Sequence, residues 1–289
     1  MSLCHSGENY FAYRAGPSEV KLYPKGMRPS TLDERRRFYD KEFELGSLSD
    51  WIGARKRNLK FAMILGRYTG LVMPGREENK DNVVVIDLWK GPGDIRRYAL
   101  DYLPESLYYD RNRYVDVREC ARCDENIEAC HGCRNYDGQQ LAFDRDPENV
   151  DCPYHGHLGE KIDRGRVHGF CMYEFKSVRK QASQLSLELA KQYESVGVVY
   201  SGRGFHVVVD DEVAYHLTKR ERKAIARRIG ARYDIDEWVT EGGSRLMRLP
   251  CSLNAIVSRK CMRIKYERGL GRFDPRTSKL VVPEFMRSA

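Results

Sequence analysis

The chain has 289 residues, with 50 Lys+Arg against 42 Asp+Glu and a formal net charge of +8. Hydrophobic residues at 41% and aromatics at 11% suffice for a packed core, which excludes a wholly disordered chain. No apolar run approaches the roughly 20 residues that cross a bilayer, and Met1 to Tyr10 lacks a secretory pattern, so the expectation is a soluble cytoplasmic protein with no membrane partner.

Residues 1–30 carry Gly16-Pro17, Pro24, Gly26 and Pro29 and read as an irregular lead-in. Thr31 and Glu34 form a capping box that opens a helix bearing Leu32, Arg35, Tyr39 and Phe43 at helical spacing. Val83 to Ile86 is a short apolar run of the kind expected in a buried strand, and Asp94 to Tyr102 reads as a short helix stopped by Pro104. Leu141 to Asp144 is a strand with acids at its C-terminal end. Val178, Ala182, Leu185, Leu189 and Tyr193 make one stripe of a long helix. Val196 to Tyr200 and Phe205 to Val209 are β-branched runs joined by the tight turn Ser201-Gly202-Arg203-Gly204. Thr218 and Glu221 cap a basic amphipathic helix that stops at Gly230, and Arg245 to Leu249 and Met262 to Tyr266 are further strands. Strands and helices mix throughout, so the class is α+β or mixed α/β.

Three groups of residues can carry chemistry. Cys120 and Cys123, with Cys130 and Cys133, form two Cys-x-x-Cys pairs able to give four thiolates to a tetrahedral structural Zn²⁺; a redox pair is the competing reading. Asp144 and Asp146 stand two apart at a strand end and so point to one face, where a divalent cation would offset their repulsion, although Asp-x-Asp is also common in surface turns. Ser201, Arg203 and His206 surround two glycines that allow close backbone approach to phosphate oxygens. Asp236 and Arg248 add a third acid and a further cation.

Taken in order, these pieces resemble the catalytic small subunit of archaeal and eukaryotic DNA primases. In that family a strand ending in Asp-x-Asp precedes a metal-binding insertion and a helix. A strand running into Ser-Gly-Arg-Gly-aromatic-His follows, and then a third Asp lies about twelve residues before a basic residue, as Asp236 lies before Arg248. The likeness covers roughly residues 31–265 and includes Glu34 to Phe43 and Leu107 to Tyr114. Two departures stand out. The family's Ser-Leu-His-x-Lys-Thr-Gly reads here Ser252-Leu253-Asn254-Ala255-Ile256-Val257-Ser258. The four-cysteine element also precedes the Asp-x-Asp, whereas the family's zinc element follows it. In that usual place this chain offers Cys152 with His155 or His157, and His168 with Cys171, for a second zinc site.

The resemblance implies an archaeo-eukaryotic primase (prim-pol) fold, with mixed β-sheets flanked by helices and a zinc-binding insertion. Its implied layout is a lead-in over 1–30, a catalytic domain over 31–275 and a tail over 276–289. Within the domain, the Cys₄ knuckle would lie at 118–135 and the second Cys/His element at 152–171. The implied activity is primer synthesis by a DNA primase/polymerase acting in DNA replication. Mg²⁺ or Mn²⁺ would be held by Asp144, Asp146 and Asp236, one ion activating the 3′-hydroxyl and the other the leaving pyrophosphate. Ser201, Arg203, His206 and Arg248 would hold the nucleotide. The implied partners are a single-stranded DNA template, nucleoside triphosphates, and a primase large subunit or helicase in trans, with nucleoid association if the host is prokaryotic. A zinc-stabilised nucleic-acid-binding module with weakened catalysis, and a stand-alone repair or plasmid primase-polymerase, are the alternatives.

Overall fold

The computed structural model describes residues 10–14, 20–53, 59–120, 133–164, 169–243, 245–266 and 270–287. In chain order the elements are a hairpin of β1 (Tyr10–Arg14) and β2 (Val20–Pro24), helices α1 (Leu32–Lys41) and α2 (Leu45–Ile52), and strands β3 (Phe61–Ile64) and β4 (Val83–Ile86). They continue through α3 (Pro92–Tyr102), β5 (Ser106–Asp110), β6 (Asn112–Tyr114), α4 (Val117–Cys120), β7 (Tyr136–Gln139) and β8 (Leu141–Arg145). Next come α5 (Leu158–Asp163), α6 (Met172–Leu189), β9 (Val196–Tyr200), β10 (Phe205–Val209), α7 (Glu212–Tyr215), α8 (Lys219–Gly230) and α9 (Glu237–Glu241). Short strands β11 (Leu246–Arg248), β12 (Leu253–Asn254), β13 (Arg259–Lys260) and β14 (Met262–Ile264) precede a last helical turn, Glu284–Arg287.

Two four-stranded antiparallel sheets dominate, ordered β14-β9-β10-β8 and β11-β5-β3-β4. The first is covered by α6, whose buried Phe175, Val178, Ala182, Leu185 and Leu189 meet Leu141, Phe143, Phe205, Val207 and Val209. Alternation along a strand sends the intervening residues to the opposite face. Ala142 and Val208 accordingly join a second core with Phe38, Tyr39, Leu48, Ile95, Tyr109 and Met247, which belong to α1 to α3 and the second sheet. All five residues of β10 are buried because both of its faces are covered.

The sequence expectations hold for the caps. Thr31 Oγ1 accepts from Glu34 N at 3.2 Å while Glu34 accepts from Thr31 N at 2.9 Å, and Thr218 and Glu221 repeat the box. Three expectations need correction. Val83 to Ile86 is a strand, but at the sheet edge, with Val83 and Val85 exposed and only Ile86 buried, because nothing among the described residues pairs with its outer side. The lead-in contains a paired hairpin, β1 with β2, rather than irregular chain alone. The tail is packed over its described residues 276–287: Val281, Val282 and Phe285 are buried, and Glu284 N donates to both carboxylate oxygens of Glu42 at 3.0 Å. Among the described residues no helix is long and apolar enough to cross a membrane.

An aromatic cluster welds α6 to the first sheet. Phe175 packs 5.6 Å from Phe205 and 6.2 Å from Tyr200, and Phe273 closes the cluster 5.0 Å from Tyr200. Phe175→Ala should therefore cost about 3–5 kcal/mol of unfolding free energy through lost burial and the cavity left behind. Urea denaturation would read this as a lowered midpoint, and a change under 1 kcal/mol would mean that α6 is not anchored there.

Candidate active site

Register assembles the site. β8 runs antiparallel to β10 with Asp144 opposite His206 and Phe205 opposite Arg145, so Asp144 and His206 share the face that carries Ala142 and Val208. The strand ends one residue later, and Asp146 follows as the extended residue that opens the turn Pro147–Asn149. Arg145 points the other way, toward α6, where it donates to Gln181 Oε1. The second sheet contributes Tyr108 and Arg248, which are register partners on β5 and β11. A cleft of about 220 Å³ results, lined among others by Asp144, Asp146, Glu148, Arg203, His206 and Arg248.

Asp236 joins from a distant part of the chain. Its backbone N–H donates to the carbonyl of Asp144 at 3.1 Å, which ties the loop before α9 to β8. Its own carboxylate caps α9, Oδ1 accepting from Trp238 N at 3.0 Å. Gln181 holds the same loop from behind, accepting from Asp234 N at 2.9 Å and donating to Asp234 Oδ2 at 2.6 Å. Asp236 also lies close enough to raise the pKa of Asp144, after burial and Asp146.

The turn after β9 is equally constrained. Ser201 N donates to Gly204 O at 3.0 Å, Gly204 N donates to Ser201 Oγ at 3.1 Å, and the Tyr200 hydroxyl donates to Gly202 O. Gly202 has φ +101°, a left-handed conformation that disfavours a side chain, and it packs against Asn254. Asn254, at the His-like position of the last motif, donates through Nδ2 to Ser201 O at 3.0 Å and accepts from Ile256 N at 3.2 Å. It braces the turn, and Ile256 lies in the first core.

Charge is concentrated and largely buried. Arg203 lies 2.6 Å from Asp146 Oδ2 and 3.3 Å from Glu148 Oε2, and these acids hold its guanidinium pKa above the ordinary value despite burial. Burial pushes the carboxyls of Asp144 and Asp146 up; Asp146 and Asp236 add to the shift at Asp144, while Arg203 opposes it at Asp146. His206 Nε2 stands 3.6 Å from Asp144 Oδ1, too long for a hydrogen bond. Burial, with Arg248 and Arg111, takes the imidazole pKa down to about 3, so the pair is a neutral ring beside a carboxyl and not an ion pair.

Two buried side-chain atoms of the cleft lining, Asp144 Oδ1 and Arg248 Nη1, have no hydrogen-bond partner among the described residues. An orphaned carboxylate oxygen beside two further acids suits a hard divalent cation, and a buried guanidinium nitrogen in the same cleft suits an anionic oxygen. Arg248 is oriented by Tyr108, whose hydroxyl lies 3.3 Å from Nη2 and whose ring centre is 5.0 Å from the guanidinium carbon. The donor set thus fits divalent ions with a phosphate-bearing ligand.

A second cluster lies beside the turn that follows Asp146. Cys152 Sγ is 3.9 Å from Cys171 Sγ and 3.5 Å from His155 Nδ1, which is 3.3 Å from Glu174 Oε1. Ligand atoms of these four residues all lie within 4.8 Å of one another, a grouping able to hold a metal ion. Burial alone would raise the pKa of Glu174, but His155, the Cys171 N–H and Lys161 hold it below the usual carboxylate range. Of the two histidines open in the sequence, His155 belongs to this group; His157 caps α5, its Nδ1 accepting from Glu160 N at 3.3 Å. His168 and the knuckle residues Cys123 and Cys130, with the Cys120 side chain, lie outside the described residues, and Cys133 is exposed.

Sequence reasoning missed three residues. Glu148 follows Asp146 through a proline turn and carried a signal as a further acid; Glu174 lay hidden in the α6 capping pattern; Tyr108 lay within the family-like stretch Leu107 to Tyr114, but only strand pairing brings it to Arg248. A Cβ on Gly204 would collide with the carbonyl oxygen of Arg145 and lie 2.8 Å from Asp146 Oδ1. Gly204→Ala should therefore force β8 and the turn apart, costing about 1–3 kcal/mol. Chemical denaturation measures it, and an unchanged midpoint would contradict the close approach.

No protein-family model matches the chain. It is 47% identical over 268 residues to an "Uncharacterized DNA primase small subunit-like protein" of Archaeoglobus fulgidus, covering 92% of this chain and 94% of the relative. It is also 26% identical over 212 residues to the DNA primase small subunit PriS of Thermococcus onnurineus, and 25% over 205 residues to that of Pyrococcus furiosus. These matches take in 72% and 71% of this chain but 52% and 50% of the relatives, so the chain spans about half the length of the PriS proteins it matches.

Proposed function

Because this chain belongs to the archaeo-eukaryotic DNA primase small-subunit family, we propose that it is a template-directed nucleotidyltransferase that makes short primers on single-stranded DNA. The observation that carries the reading is the buried, unpartnered oxygen of Asp144, which shares one cleft with Asp146, Arg203 and Arg248 and lies near Asp236. Two divalent cations, Mg²⁺ or Mn²⁺, held by Asp144, Asp146 and Asp236, would supply Lewis-acid activation of a primer 3′-hydroxyl and charge neutralisation at the departing pyrophosphate. Arg203 and Arg248 bind the triphosphate oxygens with charge-assisted hydrogen bonds, each contributing about 1.5–3 kcal/mol. The Ser201 hydroxyl and the neutral His206 add donors, His206 through one ring nitrogen only. Tyr108 keeps the Arg248 fork turned into the cleft, and Gly202 and Gly204 let the turn pack closely on Asn254 and the end of β8. A large primase subunit or a helicase acting in trans belongs to the same proposal; a stand-alone repair or plasmid primase-polymerase is the version that needs neither.

Asn254 and Ile256 favour a second reading, a nucleic-acid-binding module whose catalysis is weakened. Asn254 commits its amide to the Ser201 turn and Ile256 is buried, so neither offers a cation to a triphosphate. Incubation with single-stranded template, nucleotides and Mg²⁺ or Mn²⁺ separates the two. De novo oligomers are expected, and Asp146→Asn should reduce their yield about a thousandfold, equivalent to roughly 4 kcal/mol of barrier. Template binding without synthesis by the unmodified chain would favour the module.

Zn²⁺ at Cys152, His155, Cys171 and Glu174 is part of the same proposal, as a staple that fixes the turn beside Asp146. Cys171→Ser should release zinc measurable by elemental analysis. It should also lower the unfolding free energy by about 4 kcal/mol if zinc is present at a thousand times its dissociation constant. An unchanged zinc content would remove this site from the account.

A further inference from the structure

Glu148 stands outside the three acids, yet it lines the cleft together with Asp144 and Asp146. It sits in the turn Pro147–Asn149, where Asn149 N donates to Asp146 O at 3.1 Å and Val150 N donates to Pro147 O at 3.2 Å. The buried ammonium of Lys161 fixes this turn from outside the cleft, donating to the carbonyls of Glu148 at 3.0 Å and Val150 at 2.6 Å. The Glu148 carboxylate meets Arg203 Nη1 at 3.3 Å, while Nη2 of the same guanidinium lies 2.6 Å from Asp146. One cation is shared by two carboxylates, and only one of them belongs to the acid set.

That sharing creates a competition. A divalent ion and the guanidinium both claim Asp146, and without a second carboxylate beside it the guanidinium would weaken the ion's hold on Asp146. Glu148 offers a second seat within reach of the first. The side chains of Arg203 and Glu148 are only 9% and 17% exposed, so their attraction is screened less than that of a surface pair.

We propose that Glu148 is a positioning residue: it takes over Arg203 when Asp146 turns to a divalent ion, and so holds the guanidinium at the cleft where the nucleotide phosphates arrive. The inference rests on the two-ion reading above and adds to it a fourth carboxylate that acts through Arg203 and touches no ion. Direct ligation of the ion by Glu148 is the competing role, and a double-mutant cycle separates the two.

The test titrates the full-length chain with Mn²⁺ alone, following the free-ion signal by electron paramagnetic resonance, for the wild type, Glu148→Gln, Arg203→Ala, the double variant and Asp146→Asn. Glu148→Gln leaves Arg203 on Asp146 and should weaken Mn²⁺ binding about tenfold, or 1.4 kcal/mol. Arg203→Ala removes the competitor and should bind Mn²⁺ at least as tightly as the wild type. In that background Glu148→Gln should change affinity by less than about twofold, since its effect runs through the missing arginine. Glu148→Asp, which keeps the charge with a shorter reach, should fall between the wild type and Glu148→Gln. Wild-type affinity in Glu148→Gln, or a tenfold loss that persists without Arg203, would overturn the proposal while leaving the two-ion reading intact. Asp146→Asn should abolish binding; a wild-type chain that binds no Mn²⁺ would overturn both.

Discussion

Pairing of β8 with β10 places Asp144 directly opposite His206, and the rest of the cleft is organised around that register. A slip of one residue would send Asp144 and Asp146 into the aromatic cluster under α6 and turn Arg145 into the cleft. The register is guarded on both faces. Leu141, Phe143, Phe205, Val207 and Val209 must face α6, whereas Ala142 and Val208 must face the second core. Burying each large apolar side chain contributes about 1.5–3 kcal/mol, so the misaligned sheet would forfeit several such contributions at once. The acids thus owe their position to residues that carry no chemistry.

Buried arginines supply the second layer of order. Arg111 donates to the carbonyls of Gln140 and Val239, both at 2.7 Å, joining the start of β8 to α9. Burial, reinforced by Arg222, lowers its pKa to about 10, which leaves it cationic at neutral pH behind the acids. Arg35 binds the carbonyls of Leu65 and Leu103 at 3.0 and 3.1 Å and so ties α1 to the ends of β3 and α3. Each guanidinium gathers backbone acceptors that a loop would otherwise leave unsatisfied. Such a scaffold lets Asp144 keep a carboxylate oxygen without a partner, a costly arrangement in a pliable site.

Local patterns in the sequence were enough for β8, β9, β10, α6 and α8, because caps, β-branched runs and an apolar stripe are written within each segment. The likeness in motif order is what groups Asp144 and Asp146 with Asp236, although nearly ninety residues intervene. What stayed hidden depends on contacts between segments. The exposure of β4 follows from its place at a sheet edge, and the burial of Val281 and Phe285 from packing against distant chain. In the sequence Asn254 is only a departure from the family's motif; its hydrogen bond to Ser201 makes it a brace for the loop. The choice between His155 and His157 turned on one bend, which sends the first toward the cysteines and the second to the start of α5.

In the proposed mechanism, three acids from two distant segments converge on divalent ions opposite a phosphate-binding turn. Crystals grown with Mn²⁺ and a non-hydrolysable nucleoside triphosphate test it most directly, through anomalous scattering at the manganese edge. Manganese peaks bounded by Asp144, Asp146 and Asp236 are expected, with the triphosphate against Arg203 and Arg248. Manganese bound elsewhere, or a triphosphate seated away from the Ser201 to His206 turn, would contradict it.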